Sequence, residues 1–256
     1  MKTNTALKNH IRIAQNPEAV AEAACGWVVD LILAAIKRHD RCIIAASGGS
    51  TPKRLYQMLA ELPPGKIPWG KVHLIWGDER NVPLDHPDSN FGMVREALLN
   101  PLGKRGPNVY PVPIDPSNPT KAAEYYEATV RALLHTPDHD EPLDLVLLGL
   151  GDDSHTASLF PNTQALTEKN RWVLSNWVEK LQSHRITLTP PMINAAAHVA
   201  FLVCGSSKKP ALQNIWHGAY QPSQYPAQII APKCGELWWF VDAPSIEGLE
   251  LPKQQG

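Results

Sequence analysis

Three short polar clusters carry side chains able to hold an anion or move a proton: Ser47-Gly48-Gly49-Ser50-Thr51, Asp78-Glu79-Arg80 and Asp152-Asp153-Ser154-His155. In the first, glycines let backbone N–H groups close on an anion and hydroxyl donors flank them, which suits a phosphate. A turn chosen only to join strand to helix explains the same glycines. No Gly-Lys-Ser/Thr follows, so it is not a Walker loop, and it is not the GxGxxG dinucleotide turn. His155 follows Asp153 by two residues, and histidine is the side chain best suited to proton exchange near neutral pH. Asp78-Glu79-Arg80 reads either as a turn-stabilising ion cluster or as a substrate-positioning set. Arg185 and Lys208 follow much later. As a bidentate fork and a point charge they would complete a phosphate cage, while Lys209 reads as a solvated charge.

Each cluster lies at the end of an apolar run. Cys42 to Ala46, Val72 to Trp76 and Leu143 to Leu148 show no polar alternation, as expected of parallel strands covered on both faces. Arg185 to Leu188, Val199 to Val203 and Leu237 to Val241 read as later strands. Asn16-Pro17-Glu18 reads as an N-cap, a first-turn proline and a dipole-compensating acid, opening a helix with Val20, Ala24, Trp27, Leu31 and Ala35 on its core face. Further helices are expected from Pro52, over Ser89 to Leu99 and Thr120 to Leu134, and from about Ser207 to His217, with Pro-rich connectors around 101–119. Strands alternating with helices predict an α/β fold, a doubly wound, mostly parallel, Rossmann-like sheet with helices on both faces. Ligands of such sheets bind beyond the carboxyl ends of the strands, so the polar tips are expected to converge on one crevice.

Composition removes several function classes. Among 256 residues, 24 Lys+Arg face 25 Asp+Glu, so no bulk attraction to nucleic acid or acidic membrane is on offer. Apolar content of 43% fits a globular chain, here read as a single domain over 1–256 with its core at about 17–243 and a loose tail at 247–256. The N-terminal stretch lacks the unbroken apolar core of a signal peptide, and the apolar run from Gly26 to Ile36 is interrupted by Asp30 and too short to span a bilayer. Cys25, Cys42, Cys204 and Cys234 stand far apart without CxxC spacing, as small buried hydrophobes of a reducing compartment. No HExxH or zinc-ligand spacing and no GxSxG nucleophile elbow occur, which leaves water activated by His155 as the simplest hydrolytic scheme.

Ser47-Gly48-Gly49-Ser50-Thr51-Pro52, Asp78-Glu79-Arg80 with Val82-Pro83 and Asp88-Ser89-Asn90, and the run Gly149 to Pro161 around His155 together resemble the 6-phosphogluconolactonases of the glucosamine-6-phosphate isomerase/6-phosphogluconolactonase family. Arg185-Ile186-Thr187 and Gly205-Ser206-Ser207-Lys208 are similar to that family too. The likeness runs from about residue 17 to 243 and is most specific in the His155 block. It implies cytoplasmic hydrolysis of 6-phospho-D-glucono-1,5-lactone in the oxidative pentose phosphate pathway, without metal or organic cofactor. The partner implied is a small sugar phosphate lactone, with no nucleic acid or membrane, and the chain is expected as a monomer or weak homo-oligomer. The implied roles are His155 as base with Asp78 or Asp153 orienting it, Arg80 balancing charge, the 47–51 turn with Arg185 and Lys208 holding the phosphate, and Glu79, Asn90 and Thr156 positioning substrate. One position departs: the family usually has Asp-Gly-His where Ser154 stands here, so Ser154 must either tolerate a positive φ or alter the backbone. Two other classes fit parts of the pattern. A glucosamine-6-phosphate deaminase typically has an aromatic after its Asp-Glu and a Phe-Asn-Glu-Pro ending, unlike this chain. A non-catalytic sugar-phosphate sensor usually carries a basic DNA-binding module, which is absent here.

Overall fold

The computed structural model describes residues 8–136 and 141–252. Among the described residues ten strands form: β1 (Lys8–Ala14), β2 (Cys42–Ala46), β3 (Val72–Trp76), β4 (Asp78–Arg80), β5 (Asn108–Val109), β6 (Leu145–Leu148), β7 (Val173–Val178), β8 (Ser183–Leu188), β9 (His198–Val203) and β10 (Glu236–Asp242). Seven build one sheet in the order β1-β10-β9-β6-β2-β3-β5, every neighbouring pair parallel. The mostly parallel α/β sheet expected from the sequence is therefore present. All five residues of β2 and all four of β6 are buried, which is why their sequences show no polar alternation.

Helix α1 (Pro17–His39) starts where the sequence indicates. The Asn16 side chain accepts from the Ala19 N–H at 3.0 Å, and Asp40 ends the helix in a left-handed conformation. It is longer than the apolar run the sequence singles out: by length and composition alone it could cross a membrane, yet half of its most apolar window is buried and it packs on α2 (Ser50–Glu61) and β10. Gly49, at φ 110, replaces a side-chain cap at the start of α2. The helix expected over Ser89 to Leu99 divides into α3 (Asn90–Val94), capped by the Ser89 hydroxyl, and a π turn over Arg95–Leu99. The helices Pro119–Leu134 and Lys209–His217 lie close to their expected bounds.

Three features differ from the sequence reading. Arg185 to Leu188 is a strand, but it belongs to a separate antiparallel sheet of order β4-β8-β7 that stands off the carboxyl end of β3. β1 lies ahead of the expected core, added to the sheet edge beside β10. Of the four cysteines, Cys25 and Cys42 are buried, Cys204 is partly covered and Cys234 is exposed, so burial does not describe them all. Residues 253–256 of the expected loose tail lie outside the described residues.

Chain order reverses between β2 and β6: β3 and β5 extend the sheet on one side, β9, β10 and β1 on the other. The carboxyl ends of such a pair open a crevice that crossovers do not cover. Two buried tyrosines fix the tips beside it. The Tyr56 hydroxyl meets both the N–H and the carbonyl of Ser47 at 3.0 Å, and the Tyr126 hydroxyl does the same for Trp76 at 2.6 and 3.1 Å. Burial raises both phenol pKa values, so each remains a donor at any physiological pH.

Candidate active site

The β6 tip folds as a tight hydrogen-bonded turn. The Ser154 N–H donates to the Gly151 carbonyl at 3.0 Å and the Gly151 N–H to the His155 carbonyl at 2.8 Å. Closing so short a loop puts Ser154 at φ 64, the region a glycine would occupy without strain. The serine thus tolerates the angle instead of altering it. Asp153 Oδ1 then lies 2.5 Å from His155 Nδ1. A carboxylate only accepts, so Nδ1 carries the proton, and in the neutral ring Nε2 then presents its lone pair. Among the described residues Nε2 has no hydrogen-bond partner. The imidazole stacks on Phe160 with centroids 4.0 Å apart, and the bond to His155 holds the Asp153 carboxyl well below its usual range. Gly151 is required for this packing: a Cβ there would come within 2.0 Å of Nδ1.

The opposite wall is the small antiparallel sheet. Its register sets Arg80 directly across from Arg185, an arrangement of like charges that costs stability. Arg80 Nη1 donates to the Asp88 carbonyl at 2.5 Å and Arg185 Nη1 to the Ser183 hydroxyl at 3.4 Å. Among the described residues neither guanidinium pairs with a carboxylate. Burial and the neighbouring Arg80 both lower the pKa of Arg185. Asp78, Asp88 and Glu79 offset this in part through space, and two adjacent guanidiniums without a salt-bridge partner suit an anion.

Buried carboxylates hold that wall in place. Glu79 has no exposed surface; its oxygens accept from the N–H groups of Arg80, Asn90 and Phe91 at 2.7, 2.8 and 2.7 Å and from the Ser89 hydroxyl at 3.2 Å. Burial raises its pKa against the pull of those N–H groups. Asp78 accepts from the Ser158 hydroxyl at 2.7 Å and from Asn90 Nδ2 at 3.4 Å, tying the His155 loop to β4. Gly48 makes room for Asn90, because a Cβ there would lie 1.9 Å from Asn90 Oδ1.

These walls enclose a cleft of about 620 Å³, ample for a sugar phosphate. Ser47, Gly48, Gly49, Asp78, Arg80, Asn90, Asp153, His155, Thr156, Arg185 and Lys208 all line it. Ser50, Thr51 and Glu79 do not, and Glu79 is fully buried behind the wall. Of the two acids that could orient the imidazole, Asp153 touches it, whereas Asp78 is engaged by Ser158 and Asn90. Thr156 braces the turn through the Gly149 carbonyl at 2.9 Å. Lys208 arrives paired with Asp152 at 2.7 Å. Sequence reasoning missed Lys180, whose Nζ lies 3.1 Å from Asp153 Oδ2. Its signal was the β7–β8 hairpin, legible only as the half-polar strand Val173–Val178 running into Ser183–Leu188. Among the described residues no three His, Cys, Asp or Glu side chains group to hold a metal ion.

The family model described as "Glucosamine-6-phosphate isomerases/6-phosphogluconolactonase" matches residues 15–239. A 6-phosphogluconolactonase from Synechocystis is 43% identical over 235 residues, 91% of this chain and 95% of that protein. One from Nostoc is 40% identical over 246 residues, covering 96% and 99%. Among solved structures, the 6-phosphogluconolactonase of Trypanosoma brucei superposes with a TM-score of 0.84 at 29% identity, over 96% of this chain and all of that one.

Proposed function

The chain belongs to the glucosamine-6-phosphate isomerase/6-phosphogluconolactonase family, and from that premise we propose that it hydrolyses 6-phospho-D-glucono-1,5-lactone to 6-phospho-D-gluconate by water that His155 activates. The observation that carries this reading is the pairing, in one cleft, of an imidazole whose Nε2 has no partner among the described residues with two guanidiniums that form no salt bridge there.

His155 Nε2 takes a proton from water as its oxygen bonds to the lactone carbonyl carbon. The carbonyl pair moves onto oxygen, giving a tetrahedral oxyanion. When that pair returns, the bond from carbon to the ring oxygen breaks and the imidazolium gives its proton to the departing oxygen, which becomes a hydroxyl. Asp153 keeps the tautomer correct through both transfers. The 6-phosphate sits among the Ser47-Gly48-Gly49 turn, the uncapped start of α2, Arg185 and Lys208, and Arg80 adds charge beside Arg185. Binding energy gathered at that remote group holds the carbonyl against the water.

The substrate is small and free in solution, so the reading includes a cytoplasmic setting, a monomer or weak homo-oligomer, and no nucleic acid, membrane or cofactor. Purified protein is expected to open the lactone, with kcat falling about a hundred- to ten-thousandfold in His155→Ala. Ammonia release from glucosamine 6-phosphate, or hydrolysis unaffected by His155→Ala, would contradict the reading.

A further inference from the structure

Lys180 belongs to no part of the scheme above, yet it lines the cleft and touches the acid that orients the base. It lies in the turn Glu179–Leu181 that joins β7 to β8. Asp153 is thereby divided, with Oδ1 on the imidazole at 2.5 Å and Oδ2 on the ammonium at 3.1 Å.

An aspartate hydrogen-bonded to a histidine does two things. It orients the ring and fixes the tautomer, which a general base needs. It also favours imidazolium by placing a negative charge beside it, which a general base working near neutral pH does not need. An ammonium on the second carboxylate oxygen separates these effects: the hydrogen bond and the orientation persist while the field at the ring is reduced. The other charges around the cleft are already engaged or are borne on β4, β8 and the loop beside them. Asp152 pairs with Lys208, Asp78 is held by Ser158 and Asn90, and Arg80, Arg185 and Asp88 lie on or beside the antiparallel sheet. Lys180 is the cation placed directly on the Asp153 carboxylate.

Resting on the lactone-hydrolysis reading, we propose that Lys180 is a positioning residue that acts through Asp153 to keep the oriented imidazole of His155 neutral in the working pH range. The test is the pH profile of kcat/KM for wild type, Lys180→Met and Lys180→Arg, together with NMR titration of the His155 ring in the substrate-free proteins. In Lys180→Met the acid limb is expected to move up by about half a pH unit, the scale of an exposed ion pair. The His155 midpoint should move with it and KM should stay within about twofold. Lys180→Arg should behave as wild type, and 1 M salt should shrink the difference by screening. An acid limb and His155 midpoint that stay in place in Lys180→Met would overturn the proposal. So would a rise in KM without a shift of the limb, which would make Lys180 a substrate contact. Should wild type fail to open the lactone, the functional reading falls, while the His155 titration still decides the role of Lys180.

Discussion

The two walls of the cleft are built in opposite ways. On the imidazole wall, the aspartate, the strained serine and the histidine are consecutive, Asp153-Ser154-His155, and bonds between residues two to four apart shape the turn. On the cation wall, Arg80 and Arg185 stand opposite each other although more than a hundred positions separate them, and a buried carboxylate on Glu79 stitches β4 to α3. The turn's own bonds are local, although Ser158 and Lys180 also tie it to the antiparallel sheet, through Asp78 and Asp153. The cation wall exists only once an antiparallel sheet has formed, and that sheet accepts a like-charge pair that Asp78, Asp88 and Glu79 offset through space and that a bound anion would relieve further.

Because the two walls take their shape from different bonds, damage to each should read out differently. The largest effect is expected on the imidazole wall. Gly151→Ala drives a methyl into Nδ1 and should lower kcat about a hundredfold while the circular dichroism of the folded protein stays intact. On the cation wall, Glu79→Gln turns an amide NH₂ toward buried donors that the carboxylate now accepts. Urea unfolding should show a loss of about 2–3 kcal/mol, with KM rising more than kcat falls. The smallest effect is a gain. Ser154→Gly relieves a left-handed strain of about 1–2 kcal/mol against roughly 0.5–1 kcal/mol of added chain entropy. A net stabilisation of about 0.5 kcal/mol should follow, with activity retained. A Ser154→Gly variant that loses stability would show that the serine side chain itself holds the turn.

The same contrast explains what could be read in advance. The buried strands β2, β3 and β6 announce themselves as unbroken apolar runs, and the Asn16 cap and Gly49 turn carry their own residue signatures, so the parallel sheet and its polar tips were legible. The choice between Asp78 and Asp153 as the partner of His155 was not legible, because the contact depends on the turn that holds Ser154 at positive φ. Cross-strand register leaves no local mark: nothing in Arg185-Ile186-Thr187-Leu188 distinguishes a strand of the main sheet from one that pairs with Asp78-Glu79-Arg80. Glu79 looked like a substrate contact because consecutive polar residues give no sign of which faces inward. β1 was missed because a sheet's edge strand alternates polar and apolar residues and presents no apolar run.

The proposed separation of base and anion grip is tested most directly by calorimetric binding of 6-phospho-D-gluconate to wild type, His155→Ala and Arg185→Met. The structure predicts that His155→Ala binds within about threefold of wild type, whereas Arg185→Met, losing a charge-assisted contact worth about 1.5–3 kcal/mol, binds at least tenfold more weakly. Equal losses in the two variants, or undiminished binding in Arg185→Met, would contradict it.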